Sequence, residues 1–589
     1  MIDVRLAFGD LEKGVEDRLD EWTRDDAVSR LWARDTSLWS PDPETPELAD
    51  RLGWIGLPEA AEAALPALAS LAGAVAPWMT DLVLLGMGGS SLAPEVVAKA
   101  IGGAGLPLTV VDTTHPQTIR DMEWIRPANT LFVVASKSGT TVETLSLFQH
   151  FWSRVREISE SPGDHFIAIT DPDTPLATLG EQRDFLAVVE APPDVGGRFS
   201  ALSPFGLVPA VLMGVELSPL VESALEIADA CRDTPRDNPA FRLAAALAEA
   251  TLGGRDKATF VTSNPFEALP DWLEQLIAES TGKEGRGIVP IAHEPEREPS
   301  EYGDDRLFVG VVAPPESVAE AEQWGEVDDS LRRLDALEGA GHPVVRVEVD
   351  ALDDLLGLFF VWEIAIAMVG AAMDVNPFDQ PDVELAKRLA KQAMTRPAPE
   401  VDVDPTEAPN PDPTGADRDE TDGGELDLAW DVPYYGHAGS GTGAPDPDTL
   451  TTVVGDFLAL VSPGDYIAIH AYLPGGDSEE LEALADLRGA LSEATGVATT
   501  LGYGPRFLHS TGQLHKGGPP GGVFLQLVDD AGVHAPVPGT DYTFHQLIRA
   551  QARGDVEALE SLERRVLRVR VSPAVEGIRR LIRLVEHVS

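Results

Sequence analysis

The chain contains a single cysteine, Cys231, which excludes an intrachain disulfide, a cysteine zinc cluster and an iron–sulfur centre. In the polar run EIADACRDTP it reads as a structural thiol. Positive charge is scarce: Lys+Arg number 44 against 98 Asp+Glu, a formal net charge of −54 over 589 residues. That balance excludes broad nucleic-acid binding, which needs a cationic surface, and electrostatic attachment to anionic membranes. Lysine is scarcest. There are eight (Lys13, Lys99, Lys137, Lys257, Lys283, Lys387, Lys391 and Lys516), and the other 36 basic residues are arginines. An ammonium and a guanidinium differ in shape, hydration and pKa tunability, so the few lysines mark where an ammonium is worth seeking. The start MIDVRLAFGD has no basic and apolar leader, so no signal peptide and a cytoplasmic location are expected. The longest apolar run, Leu355–Met373, carries Glu363 at its centre and reads as a buried core helix rather than a membrane span.

With 43% hydrophobic residues the chain can build cores, and its length suits three or four domains. Residues 1–60 read as a helical, Trp-rich segment with Trp22, Trp32, Trp39 and Trp54. From 61 to 250, apolar runs at Leu82–Leu85, Leu108–Val111, Leu131–Ala135, Phe166–Thr170 and Leu186–Val189 alternate with helical stretches. That is the pattern of a doubly wound parallel α/β domain. A second set over 251–395 (Thr259–Thr262, Ile288–Ala292, Leu307–Val312, Val344–Val349) predicts another such domain. Residues 396–447 are rich in Pro, Gly and acids and read as a linker. A C-terminal α/β block, 448–589, has strands at Tyr466–His470, Val497–Leu501, Val523–Val528 and Val566–Val571.

Six motifs carry chemistry. In DLVLLGMGGSSLAPEVV, Gly86, Gly88 and Gly89 let backbone approach a ligand, and Ser90 and Ser91 add hydroxyls where a helix begins. That suits an anion site. A dinucleotide fingerprint is the rival, with Asp112 as the ribose acid, but Ser91 replaces its last glycine. In LFVVASKSGTTVETLSLF, Ser136, Lys137, Ser138, Thr140 and Thr141 crowd one strand-to-helix turn and suit a monophosphate. A capping box, Thr140 to Glu143, explains only two of these residues. In DVGGRFSALSPFG, Arg198 follows two glycines; it could be a surface ion pair or could stabilise anionic charge. In DWLEQLIAESTGKEGRG, Gln275 and Glu279 share a helix face, and Glu279 is either a carboxylate base or half of an exposed pair with Lys283. In NPFDQPDVELAKRLAKQA, Lys387 falls on the helix side with Val383, Ala386 and Ala390, where a lysine needs a partner. In LGYGPRFLHSTGQLHKGGPPGG, His509, His515 and Lys516 sit in a Gly-rich loop; no third metal ligand stands out. His293 and His342 read as incidental.

Together these stretches resemble the glucose-6-phosphate isomerase family. GMGGSSLAP and ASKSGTTVET look like its two sugar-phosphate loops, DVGGRFSALSPFG and FDQPDVELAK like its two signatures, and AESTGK like the segment bearing its catalytic glutamate. The resemblance covers roughly residues 80–395 and implies two sugar-isomerase (SIS) domains, each a five-stranded parallel sheet, plus the C-terminal α/β block. That block resembles the end of the isomerase half of fused transaldolase/glucose-6-phosphate isomerases. Only about 80 residues precede the first motif, too few for the ~250 of a transaldolase barrel. The implied reaction is aldose–ketose isomerisation in glycolysis and gluconeogenesis, without cofactor or metal. By motif, Gly89, Ser90, Ser136, Lys137, Ser138 and Thr141 would bind the sugar phosphate, with Glu143 and Gln275 orienting sugar or backbone. Glu279 would be the base, Arg198 the stabiliser of enediolate charge, and Lys387 and His515 the ring openers. The family's catalytic histidine has no matching motif in the usual interval, and STGQLHKGG matches best. Relatives are dimers whose neighbour supplies that histidine, which implies a homodimer with His515 acting in trans. Pro381-Asp382 also stands where the family has an aromatic and a glycine. Alternatives are a dual glucose/mannose phosphate isomerase and a non-catalytic sugar-phosphate sensor.

Overall fold

The computed structural model describes residues 1–7, 9–312, 327–382, 447–529 and 535–588. Three sheets organise them. The first holds β2 (Asp81–Leu85), β3 (Leu108–Val111), β4 (Thr130–Ala135), β5 (Phe166–Thr170) and β6 (Ala187–Glu190) in the order β3-β2-β4-β5-β6, all parallel. Every residue of β4 and β5 is buried. Strands covered on both faces by crossover helices read as continuous apolar runs, which is why the sequence displays them so clearly.

The second sheet joins β7 (Lys257–Thr262), β8 (Val289–Ile291), β9 (Arg306–Val312) and β10 (Val344–Val349) with β1 (Ile2–Ala7), in the order β1-β10-β9-β7-β8. The helical reading of residues 1–60 is corrected here: the chain starts with a strand that pairs antiparallel to β10, Val4 opposite Val347. The second sheet is therefore five-stranded but not wholly parallel. The signal was present as alternation, since Ile2 and Val4 are buried and Asp3 and Arg5 exposed. Helices follow at Glu12–Arg24, Ala27–Trp32 and Leu57–Ala74, so residue 60 lies inside a helix.

The C-terminal sheet holds β11 (Tyr466–Tyr472), β12 (Ala498–Tyr503), β13 (Gly522–Val528) and β14 (Arg565–Arg570), parallel in the order β12-β11-β13-β14. All three sheets thus share one winding: the first strand of each parallel unit lies between the second and third. Such a reversal opens a crevice at the carboxyl ends of the central strands. The linker at 396–447 lies outside the described residues except for Pro447, as do Lys387 and Lys391.

The apolar run 355–373 forms the helix Leu355–Ala372, long and apolar enough to cross a membrane but with 89% of its apolar window buried in protein. It packs against the helices Leu217–Ala230 and Pro239–Leu252. Burial pushes the Glu363 carboxyl well above its usual range, so this side chain sits in the core as the neutral acid. Cys231 is fully buried, its thiol pushed up to about 12 by burial, as a structural thiol should be. The N-terminal tryptophans face inward. Trp54 stacks at 5.1 Å on Phe199 and at 6.3 Å on Phe378, and Trp39 meets Phe378 edge-on at 5.1 Å. This aromatic floor lies under the segment that carries Arg198.

Candidate active site

A pocket of about 370 Å³ opens at the carboxyl ends of β2 and β4. Three remote segments converge there, and glycine permits it. Gly88 has φ +55, and a Cβ on it would stand 2.5 Å from the His509 carbonyl and 2.7 Å from Gln275 Nε2. A Cβ on Gly89 would strike the Gly197 carbonyl. The loop after β2 is therefore glycine-rich because the C-terminal block and the Arg198 segment both press against it.

The loop after β4 supplies the hydroxyl end. Ser138 and Thr141 line the pocket beside Ser90 and Lys137, at the start of the helix Val142–Arg156. Ser136 stands behind them, with its Oγ 2.9 Å from Thr141 Oγ1. Lys137 Nζ donates to Asp171 Oδ2 at 2.6 Å and to the Pro193 carbonyl at 3.2 Å. Hydroxyls, an ammonium and a helix N-terminus together form an anion cradle. The capping-box alternative fails: the helix has no side-chain cap, and Glu143 turns away to accept from Gln551 Nε2 at 2.7 Å. His509 Nε2 lies 3.0 Å from the same Glu143 oxygen. Thr114 Oγ1 in turn donates to Gln551 Oε1 at 2.8 Å, which fixes the amide's orientation.

The same pocket holds a buried ion pair. The helix Leu269–Thr281 presents Gln275 and Glu279 to the pocket one turn apart. Arg198 Nη1 is 3.3 Å from Glu279 Oε2, and both side chains are about 95% buried. The guanidinium is held on its other edges by Ser280 Oγ at 2.8 Å and by the carbonyls of Pro377 and Asp379 at 2.6 and 2.9 Å. A guanidinium with this many fixed acceptors is preorganised. Lys283 is not the exposed partner of Glu279. Its ammonium is buried, donates to Asp379 Oδ1 at 2.8 Å and to the Asn376 carbonyl, and is pushed down to about 7 by burial and the Arg198 charge. Arg198 and Lys283 thereby clamp the turn 376–380, from which Phe378 and Gln380 reach the pocket. The Pro381-Asp382 departure also acquires a use. Gln513 of the C-terminal block accepts from the Asp382 amide at 2.9 Å and donates to its carboxylate at 2.6 Å.

Of the residues singled out in the sequence, Gly89, Ser90, Lys137, Ser138, Thr141, Arg198, Gln275 and Glu279 line one cavity, with Ser136 and Glu143 directly behind it. Lys387 lies outside the described residues. His515 is not at the pocket. It is 3% exposed inside the C-terminal block, its Nδ1 3.0 Å from His470 Nε2, while His470 Nδ1 lies 3.0 Å from Asp555 Oδ2. The imidazole that lines the pocket is His509, six residues earlier and from the same chain. Motif spacing favoured His515 because both histidines flank STGQ, and only the third dimension separates them. Glu47, Arg51, Asp171, Phe378 and Gln380 were also missed as lining residues. Asp112 does not wait for a ribose, since Arg506 Nη1 pairs with it at 3.1 Å. His293 and His342 bond to Asp271 and to the Pro299 carbonyl, away from the pocket.

Residues 68–290 match the family model described as phosphoglucose isomerase. The chain is 30% identical over 364 residues to a glucose-6-phosphate isomerase of Rubrobacter xylanophilus, covering 54% of this chain and 83% of the relative. Among solved structures, a hypothetical protein of Thermus thermophilus aligns with a TM-score of 0.58 at 26% identity, over 67% of this chain and all of that one. A glucose-6-phosphate isomerase of Chlamydia trachomatis aligns with a TM-score of 0.51 at 20% identity, over 65% of this chain and 85% of that one, a likeness of fold.

Proposed function

The chain belongs to the glucose-6-phosphate isomerase family, and we propose that it interconverts glucose 6-phosphate and fructose 6-phosphate in this pocket, a step of glycolysis, with Glu279 as the base. The observation that carries the assignment is the Glu279–Arg198 pair at 3.3 Å, set in the same cavity as the Ser90, Lys137, Ser138 and Thr141 cradle. The phosphate occupies the cradle and the sugar chain extends towards Glu279. His509 opens the ring by moving a proton between the ring oxygen and the C1 hydroxyl. Its Nε2 is held by Glu143, so Nδ1 faces the substrate. Glu279 then removes the C2 proton of the open aldose. The C–H electron pair forms the C1–C2 double bond while the carbonyl pair moves to O1, and protonation of O1 gives the cis-enediol; O2 gives up its own proton afterwards, as C2=O2 forms. Return of the proton from Glu279 to C1 yields the ketose. Arg198 offsets the negative charge that develops on O1 and O2.

Lys387 enters as a second proton donor on its motif alone. The same reading takes the enzyme as a cytoplasmic homodimer, and the net charge of −54 weighs against a nucleic-acid or anionic-membrane partner. His509 reaches its Glu143 within one chain, so this reading needs no histidine from a neighbour. The test is a coupled assay with glucose 6-phosphate on wild type and Glu279→Gln. The variant should lose turnover by about 10²–10⁴-fold, the usual weight of a general base, while keeping its affinity for sugar phosphate. Full turnover in the variant overturns the assignment of the base.

A further inference from the structure

Arg51 belongs to the N-terminal segment, outside every motif of the reaction. Its backbone is nevertheless fixed to the segment that delivers Arg198. Leu52 bridges to Val195, the Gly53 amide donates to the Asp194 carbonyl at 2.9 Å, and Leu48 and Leu52 are buried on either side. Its guanidinium lines the pocket. Arg51 Nη2 pairs with Glu47 at 3.2 Å, an i,i+4 contact that alone would be an ordinary surface pair. Arg51 Nη1, however, donates to the Pro193 carbonyl at 3.2 Å, the oxygen that Lys137 Nζ also reaches at 3.2 Å. Two like charges therefore converge on a single carbonyl, no further apart than those two legs allow. Asp171 answers one and Glu47 the other, and the Asp171 carboxylate senses the charge of both. Bringing two cations together costs free energy unless an anion joins them. A phosphate oxygen fan can accept from both while each keeps part of its carboxylate contact.

We propose that Arg51 is a second cationic ligand of the substrate phosphate, opposite Lys137 and with Glu47 as its resting counter-ion. This rests on the reading of the cradle as the phosphate end of the site. A second cation has a physical purpose here. A dianion approaches a protein of net charge −54, and local positive potential must offset that field at the pocket.

The test is calorimetric titration of the full-length protein with inorganic phosphate, alongside steady-state kinetics with glucose 6-phosphate. Arg51→Met should weaken phosphate binding about 10–100-fold and raise KM by a similar factor, with kcat within about threefold, the size expected for losing one charge-assisted contact. Arg51→Lys should recover part of the loss. Glu47→Gln, which frees the guanidinium, should tighten phosphate several-fold at low salt. Unchanged phosphate affinity in Arg51→Met, or a fall in kcat with KM unmoved, overturns the proposal, as does a wild type that binds no phosphate. Phosphate binding needs no turnover, so a wild type that binds phosphate but isomerises nothing would defeat the isomerase reading and still decide the role of Arg51.

Discussion

Glu279 and His509 line the same pocket, with Gln275 between them donating to the His509 carbonyl at 2.7 Å, and their surroundings assign them different work. Glu279 is largely buried and lines the pocket beside a guanidinium whose other nitrogens are occupied by fixed acceptors, so the carboxylate meets a fixed positive charge. His509 is backed by a carboxylate that is itself fixed by Gln551. The histidine that lines the pocket and the histidine favoured by motif spacing can be told apart by substitution. His509→Asn should lower kcat on the cyclic sugar phosphate by about 10²–10⁴-fold through loss of proton transfer at ring opening. His515→Gln should leave kcat/KM near neutral pH within about threefold. Equal losses in both variants would return the proton-transfer role to His515.

The C-terminal elements depend on His515 in another way. It lies between His470, Lys516 and Arg564, and its imidazole is held well below the ordinary value of 6.5 by burial and then by His470 and Lys516. His470 is lowered as well, by burial, against the pull of Asp555. Burial alone would raise the Asp555 carboxyl, but Lys516 and His470 overcome it and hold it low. The unfolded chain protonates both histidines below pH 6.5 while the folded chain does not, so stability is full above 6.5 and falls as pH drops below it. His515, held well below 6.5, contributes a slope approaching about 1.4 kcal/mol per pH unit as pH falls, and His470 adds to it in the same direction. Denaturant unfolding at pH 7.5 and 5.5 should show this loss, and His515→Gln should remove about one histidine's share. An acid slope unchanged in that variant would contradict the buried neutral pair.

How far the elements could be read from the chain follows from the same physics. β4 and β5 are covered on both faces and stand out as apolar runs. β1 is an edge strand only six residues long, and its alternation is easily lost beside the helices that follow. The cradle and Glu279 were legible because each packs its polar residues into one turn or one helix face. Arg51 and Asp171 were not, since each is a common charged residue whose meaning comes from a carbonyl or an ammonium far off in sequence. His509 failed to stand out for the same reason, because its partner Glu143 is 366 residues away.

At the scale of the whole molecule, the net charge of −54 bears on stability. Eleven acids and only Arg418 fall within residues 400–427, and the rest of the excess is spread along the other residues. Self-repulsion among them weakens as salt shortens the Debye length from about 10 Å at 0.1 M to about 3 Å at 1 M. We expect Tm to rise markedly between those KCl concentrations. An indifferent Tm would show that the charge is already solvated without cost. KM for the dianionic substrate should fall over the same range, because screening also relieves its approach.

The central claim is that one carboxylate carries a proton from C2 to C1, and labelled substrate tests it most directly. Glucose 6-phosphate deuterated at C2 should give fructose 6-phosphate with part of the label at C1 and part exchanged into water, because the proton rests on Glu279 within reach of solvent. Glu279→Gln should abolish both the transfer and the exchange. Label moving from C2 to C1 undiminished in the variant, without passing through this carboxylate, would contradict the account.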